Sequence, residues 1–151
     1  MIKGIRFEIS SDSKKSFFEI FATQAIEEYH WHIIHDQTEV WDSSFENNFF
    51  KSDVYIGSDL KRFIQNDQLV IFVKMQAYCT PTLPINISTF EEFIKSDCCL
   101  ILLLYDCKYV EIYSKNEQIS KDLFRTAILN NFINVDYITR ENDQRTSLDI
   151  I

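Results

Sequence analysis

Residues 98–113 read CCLILLLYDCKYVEIY, and this stretch decides the fold. Cys98 to Tyr105 is apolar without interruption. A strand with one wet face alternates apolar and polar side chains, so an unbroken run predicts a strand at the sheet centre, covered on both faces. Tyr109 to Tyr113 does alternate, which predicts a hairpin back onto the run through Asp106-Cys107, a turn made without the usual glycine. The same run is far short of the ~20 apolar residues that span a bilayer.

Working outward, period-2 and period-3.6 patterns take turns along the chain. Lys3 to Ser10 places Ile5, Phe7 and Ile9 on one face of a strand. A helix is expected near 13–27, striped by Phe17, Phe18, Phe21 and Ala25. Tyr29 to His35 alternates again, and a short strand around Val40 is expected to pair back with it. Residues 43–57 carry no clear pattern. Ser58 is expected to cap a helix over 59–66, ahead of a long strand at 68–78 and the proline-bearing loop 80–84. Ser88-x-x-Glu91 has the form of a capping box for a helix at 89–96. Residues 116–131 form an amphipathic helix with a Glu117/Lys121 pair on its outer face. A last strand at 135–139 precedes a polar tail ending in Leu148, Ile150 and Ile151. Tight β-β links mixed with helices indicate an α+β fold over 1–151: one domain, a mixed or mainly antiparallel sheet, and about four helices packed on it. SSFENNFFKSD at 43–53 echoes STFEEFIKSD at 88–97, but two copies establish no repeat period.

Composition excludes several function classes. The 151 residues include two glycines, so GxGxxG, Walker, GxSxG and kinase Gly-loop motifs are all absent. An apolar share of 46% with 13 Phe is too rich for a disordered chain. The net charge of -8 opposes phosphate backbones, so no nucleic-acid partner is expected. With no signal-like or membrane-spanning segment and four cysteines beside apolar runs, the expected setting is cytoplasmic with reduced thiols. Cys99 and Cys107 are the two expected to approach each other across the hairpin.

Two constellations carry chemistry. All three histidines fall in YHWHIIHD, and His30 and His32 share one strand face, where an imidazole pair can hold a metal. Trp31 and Ile33 are then expected to face the core and the histidines the wetter side. The other constellation is a window, Ser16 to Phe50, without any Lys or Arg, holding seven acids and both tryptophans. It suggests an acidic surface with aromatic anchors, with Asp36, Glu39, Trp41, Asp42 and Glu46 as candidate contact residues for a basic protein partner.

The strings KGIRFEIS, YHWHI, FEEFIKSDCCLILLLYDCKYVEIYSK (90–115) and VDYITRENDQRTSL (135–148) resemble a family of small cytoplasmic proteins of Bacillus-type Firmicutes, catalogued as a domain of unknown function. The resemblance spans almost the whole chain and brings no established activity, cofactor or catalytic residue. The sequence therefore favours a non-enzymatic protein-binding module of the inhibitor, immunity or regulatory kind. The alternative is a small metal-assisted hydrolase using His30 and His32. No cofactor is assigned.

Overall fold

In the computed structural model, which describes residues 1–83 and 85–150, eight strands form one antiparallel sheet with four short helices. The strands are β1 (Ile2–Glu8), β2 (His30–Ile33), β3 (Glu39–Asp42), β4 (Val54–Ile56), β5 (Gln68–Tyr78), β6 (Cys98–Tyr105), β7 (Tyr109–Ser114) and β8 (Ile133–Thr139). The helices are α1 (Ser16–Ile20), α2 (Gly57–Phe63), α3 (Phe90–Lys95) and α4 (Glu117–Leu129). The strand order is β4-β2-β5-β6-β7-β1-β8, and β3 also pairs with β5. Every pairing is antiparallel, so the fold is α+β as the chain pattern indicates.

The unbroken run occupies the middle of the sheet as β6, flanked by β5 and β7. Leu100, Leu102 and Leu104 enter the larger core, with Phe7, Phe17, Trp31 and Leu123. Ile101 and Leu103 enter a second core on the opposite face, with Phe93, Tyr113, Ile138 and Leu148. Fully burying each such leucine contributes about 1.5–3 kcal/mol, which an alternating strand would obtain at only half its positions. The second core is roofed by α3 and by the stretch expected to be a polar tail. Leu148 is buried there, and its N–H donates to the Ser88 carbonyl at 2.7 Å. Alternation along the tail is what hid this role: Arg145, Ser147 and Asp149 flank the apolar plug.

The β6–β7 turn, residues 106–108, carries φ of 50° at Asp106 and 65° at Cys107, so both central residues of the turn that the Lys108 N–H closes onto the Tyr105 carbonyl at 3.2 Å are left-handed. Phe45, Asn131 and Asn134 also have positive φ, and neither glycine does. Glycine is used here for close approach. A Cβ on Gly4 would lie inside the contact radius of the Ile112 carbonyl oxygen across the β1–β7 ladder. On Gly57 it would strike the carbonyl oxygens of Ile26 and Tyr29, against which α2 begins.

Several expectations are corrected. The helix near 13–27 is α1 alone, followed by a 3-10 turn at Ile26–Glu28. The strand at Val40 pairs with β5 (Val40↔Val70), not with β2. β5 is 11 residues long, so β3 and β2 lie end to end along its one edge. The unreadable 43–57 contains the edge strand β4, too short at 3 residues to show a period. Gly57 opens α2 with no side-chain cap, so Ser58 lies inside the helix. The capping box is shifted by one: the Thr89 hydroxyl accepts from the Glu92 N–H at 3.1 Å, and the Glu92 carboxylate accepts from the Ser88 N–H at 3.0 Å. Glu117 accepts from the Ile2 N–H at 3.3 Å and makes no ion pair with Lys121 among the described residues.

Candidate functional site

Four of the five candidate contact residues, Glu39, Trp41, Asp42 and Glu46, lie on one hairpin. β3 runs out, the chain turns at 43–47, and Asn48 returns to bridge Trp41. The Asp42 N–H donates to the Asn47 carbonyl at 3.0 Å and the Phe49 N–H to the Val40 carbonyl at 2.8 Å, closing the loop. Asp36 stands apart, exposed on the 3-10 turn His35–Gln37. The Trp41 indole N–H donates to the Glu39 carboxylate at 3.1 Å, so this half-buried aromatic ring is tied to its own strand. The Asp42 carboxylate accepts from the Ser44 hydroxyl and N–H, and these bonds hold its carboxyl below the usual range.

The residue that protrudes is Phe45. It is 57% exposed, at the tip of the turn, with φ 59°. A bulky aromatic side chain in left-handed backbone costs about 1 kcal/mol net relative to glycine there. Below it lies a depression of about 200 Å³ whose lining includes Asp12, Asp42, Asp67, Lys14 and Leu69. Three carboxylates and the Lys14 ammonium therefore stand around one exposed ring.

The base-free window is not base-free in space. Lys15 pairs with Asp67 at 2.8 Å, and with Lys51 it lines the broader groove beside Asp42 and Phe63. Both lysines sit just outside the window in sequence and fold back to its border. Of the two tryptophans, Trp31 is core: fully buried, its indole N–H donates to the Ile26 carbonyl at 2.9 Å.

His30 and His32 do share the face opposite Trp31, but that face is not wet. His32 is fully buried, its ring 4.6 Å from the Tyr78 ring, and neither ring nitrogen makes a hydrogen bond of full geometry among the described residues, the Thr82 backbone being the polar group beside it. Burial holds its pKa below the ordinary value. His35 is on the next turn and sits 3.7 Å from Asp53. Among the described residues, no group of three or more His, Cys, Asp or Glu is placed to hold a metal. The exposure expected for this pair fails at His32 because the segment after β5 covers it.

What sequence reading missed is a polar seam on that second face. Lys74 and Gln76 project from the middle of β5 and are fully buried. The Lys74 ammonium donates to the Ile87 carbonyl and lies 3.0 Å from Asp149, which also accepts from Gln37 and Asn86, each at 2.8 Å. Further along, the Arg145 Nε–H donates to both Glu111 oxygens at 3.1 and 3.0 Å, and its guanidinium covers Tyr105. Beside them opens a cavity of about 340 Å³, lined in part by Arg6, Tyr109 and Asn134. The available signal was Lys74 and Gln76 themselves, polar at alternate positions of an otherwise apolar strand. The cysteine expectation also changes: Cys99 meets Cys79, Sγ to Sγ 3.0 Å, and Cys107 lies in the β6–β7 turn.

No helix among the described residues is long and apolar enough to cross a membrane. No solved structure matches the chain. An uncharacterized Bacillus subtilis (strain 168) protein, YncE, is 31% identical over 153 residues, covering 99% of this chain and 100% of that protein. The model of a protein family of unknown function, DUF2691, matches residues 2–149. The chain belongs to the DUF2691 family.

Proposed function

We propose that this protein acts by binding another protein through the tip of the 39–49 hairpin, with Phe45 as the anchor and a basic partner as its target. The observation that carries the reading is Phe45 itself: a large ring held out to solvent in backbone geometry that favours glycine or asparagine. Local strain is retained where surrounding structure over-determines it, and it concentrates at functional sites. Asp12 and Asp42 around the ring, with Glu46 beside it, offer a charged rim to a partner bearing Lys or Arg around an apolar pocket, while Asp67 on the same rim is paired with Lys15. An aromatic centre within a polar rim is the usual anatomy of a protein interface. The net charge of -8 would speed encounter with such a partner.

This reading fits an inhibitor, immunity or regulatory protein of the cytoplasm. The His30/His32 hydrolase is not carried forward, because His32 is sealed against Tyr78. The test is quantitative affinity capture from cells that encode the protein, comparing the native chain with Phe45→Ala and Glu46→Lys. Glu46 is chosen over Asp42 because Asp42 holds the turn. A basic protein retained by the native chain and lost by both folded variants supports the reading. An identical set of captured proteins from all three would overturn it.

A further inference from the structure

The exposed thiol of Cys79 and the half-buried thiol of Cys99 are both free and in contact, Sγ to Sγ 3.0 Å. Cys79 follows directly on the end of β5, and Cys99 is the second residue of β6. Regular pairing does not set them opposite one another. The register moves from Ala77↔Leu100 to Tyr78↔Cys98, so Cys99 is an extra residue, a β-bulge, opposite the end of β5. Bulges re-aim a side chain, and this one brings Cys99 to Cys79.

We propose that Cys79 and Cys99 form a reversible oxidation site, closed to an intrachain disulfide by a low-molecular-weight disulfide. The reaction balances as two exchanges. The Cys79 thiolate attacks one sulfur of the small disulfide, forming a mixed disulfide on Cys79 and releasing one small thiolate. The Cys99 thiol then loses its proton, and its sulfur attacks the Cys79 sulfur. The Cys79–Cys99 bond forms and the second small thiolate leaves. Two electrons pass from the protein to the oxidant, and the two thiol protons end on the two released thiols.

The order of attack follows from the surroundings. Cys79 is open to solvent, whereas burial and the neighbouring Cys79 thiol push the Cys99 thiol up to about 11. Thiolate is the reactive form, so Cys79 attacks first and Cys99 resolves. Forming the mixed disulfide removes the Cys79 thiol that helps hold Cys99 protonated. The Lys115 ammonium, which favours the Cys99 thiolate, remains. Cys98 takes no part: it is fully buried, donates to the Leu100 carbonyl at 3.3 Å, and is pushed up to about 12 by burial.

The bond would staple the mouth of the segment that carries Ile85 and Ile87 over Gln76 and Lys74. Oxidation thereby fixes the cover of the buried polar seam without touching the 39–49 hairpin, and the proposal stands independently of the partner reading.

The experiment incubates the reduced full-length protein with excess oxidised glutathione at about pH 8, then measures intact mass, disulfide-linked peptides and melting temperature. The native chain should lose the mass of two hydrogen atoms and yield one Cys79–Cys99 linked peptide. It should melt about 5–10 °C higher, the shift expected for closing a loop of this length, and return to its starting point on reduction. Cys107→Ser should behave as the native chain. Cys99→Ser should stop at a stable glutathione adduct on Cys79, and Cys79→Ser should remain unmodified. The proposal is overturned if the native chain keeps both thiols, if it accumulates the adduct without closing the bond, or if Cys79 links instead to Cys98 or to a second chain.

Discussion

Lys74 and Asp149 hold the seam together: the ammonium, fully buried on β5, lies 3.0 Å from a carboxylate reached by the returning 140–150 segment. Each partner alone would be poorly placed. Burial pulls the Lys74 pKa down, and hydrogen bonding and charge from Asp149 oppose it. Burial would raise the Asp149 carboxyl, but hydrogen bonds from Asn86, Gln37 and Lys74 outweigh it and hold the carboxyl well below the usual range.

Removing the carboxylate therefore costs more than removing the cation. Asp149→Asn leaves a buried ammonium without its counter-charge and should lower stability by about 2–4 kcal/mol. Lys74→Met leaves Asp149 with two neutral donors and part of its surface in water. It should cost clearly less. Denaturant unfolding of the two variants decides this, and equal losses would contradict the pairing. The pH dependence has a fixed sign. Asp149 ionises at lower pH in the folded chain than in the unfolded one. Its contribution is complete above about pH 4 and fades as pH falls toward the folded value. Asp149→Asn should flatten that acid-side slope.

His32 presents the opposite case, a buried polar ring whose nitrogens make no hydrogen bond of full geometry among the described residues. Replacing it with an apolar ring removes two unsatisfied atoms, so His32→Phe should stabilise by about 1–2 kcal/mol. Since burial lowers the folded pKa, the unfolded chain takes up the proton first, and stability declines as pH falls below about 6.5. His32→Phe should abolish that component. A lower melting temperature in the variant would show that the imidazole is hydrogen-bonded.

The turn between β6 and β7 offers a stabilising change. Cys107 has φ 65° and its N–H donates to the Ile71 carbonyl at 3.0 Å, a bond glycine would keep. Cys107→Gly should raise stability by about 0.5–1 kcal/mol, read from thermal melting. Gly4→Ala should do the reverse, and severely. Its Cβ would press on the Ile112 backbone, which cannot withdraw without breaking the β1–β7 ladder. Loss of several kcal/mol, or failure to fold, is expected. A near-neutral Gly4→Ala would contradict the close approach.

How much of this was legible follows from where each signal lives. The central strand and its hairpin were readable because an eight-residue apolar run admits few placements and its turn is local. The partner of β3 was not, because pairing with β5 rather than β2 is decided by edge length, which no local pattern records. The acidic surface was half legible. Glu39, Trp41, Asp42 and Glu46 share a hairpin, but Lys15 and Lys51, one residue beyond the window at either end, return to border it. Phe45 is not legible, because nothing in sequence distinguishes an aromatic side chain at a turn tip from one in the core. Lys74 and Asp149 lie 75 positions apart, so neither could announce the other.

The most direct test of the hairpin's role uses Phe45→Gly, which separates folding from binding. Glycine relieves the left-handed backbone at φ 59° and deletes the anchor ring in one change. The account predicts a variant at least as stable as the native chain, by up to about 1 kcal/mol. It also predicts that the basic protein captured by the native chain is no longer retained, an affinity loss of roughly 30-fold or more for a central aromatic anchor. A stable Phe45→Gly protein that captures the same partner as strongly as the native chain would contradict it.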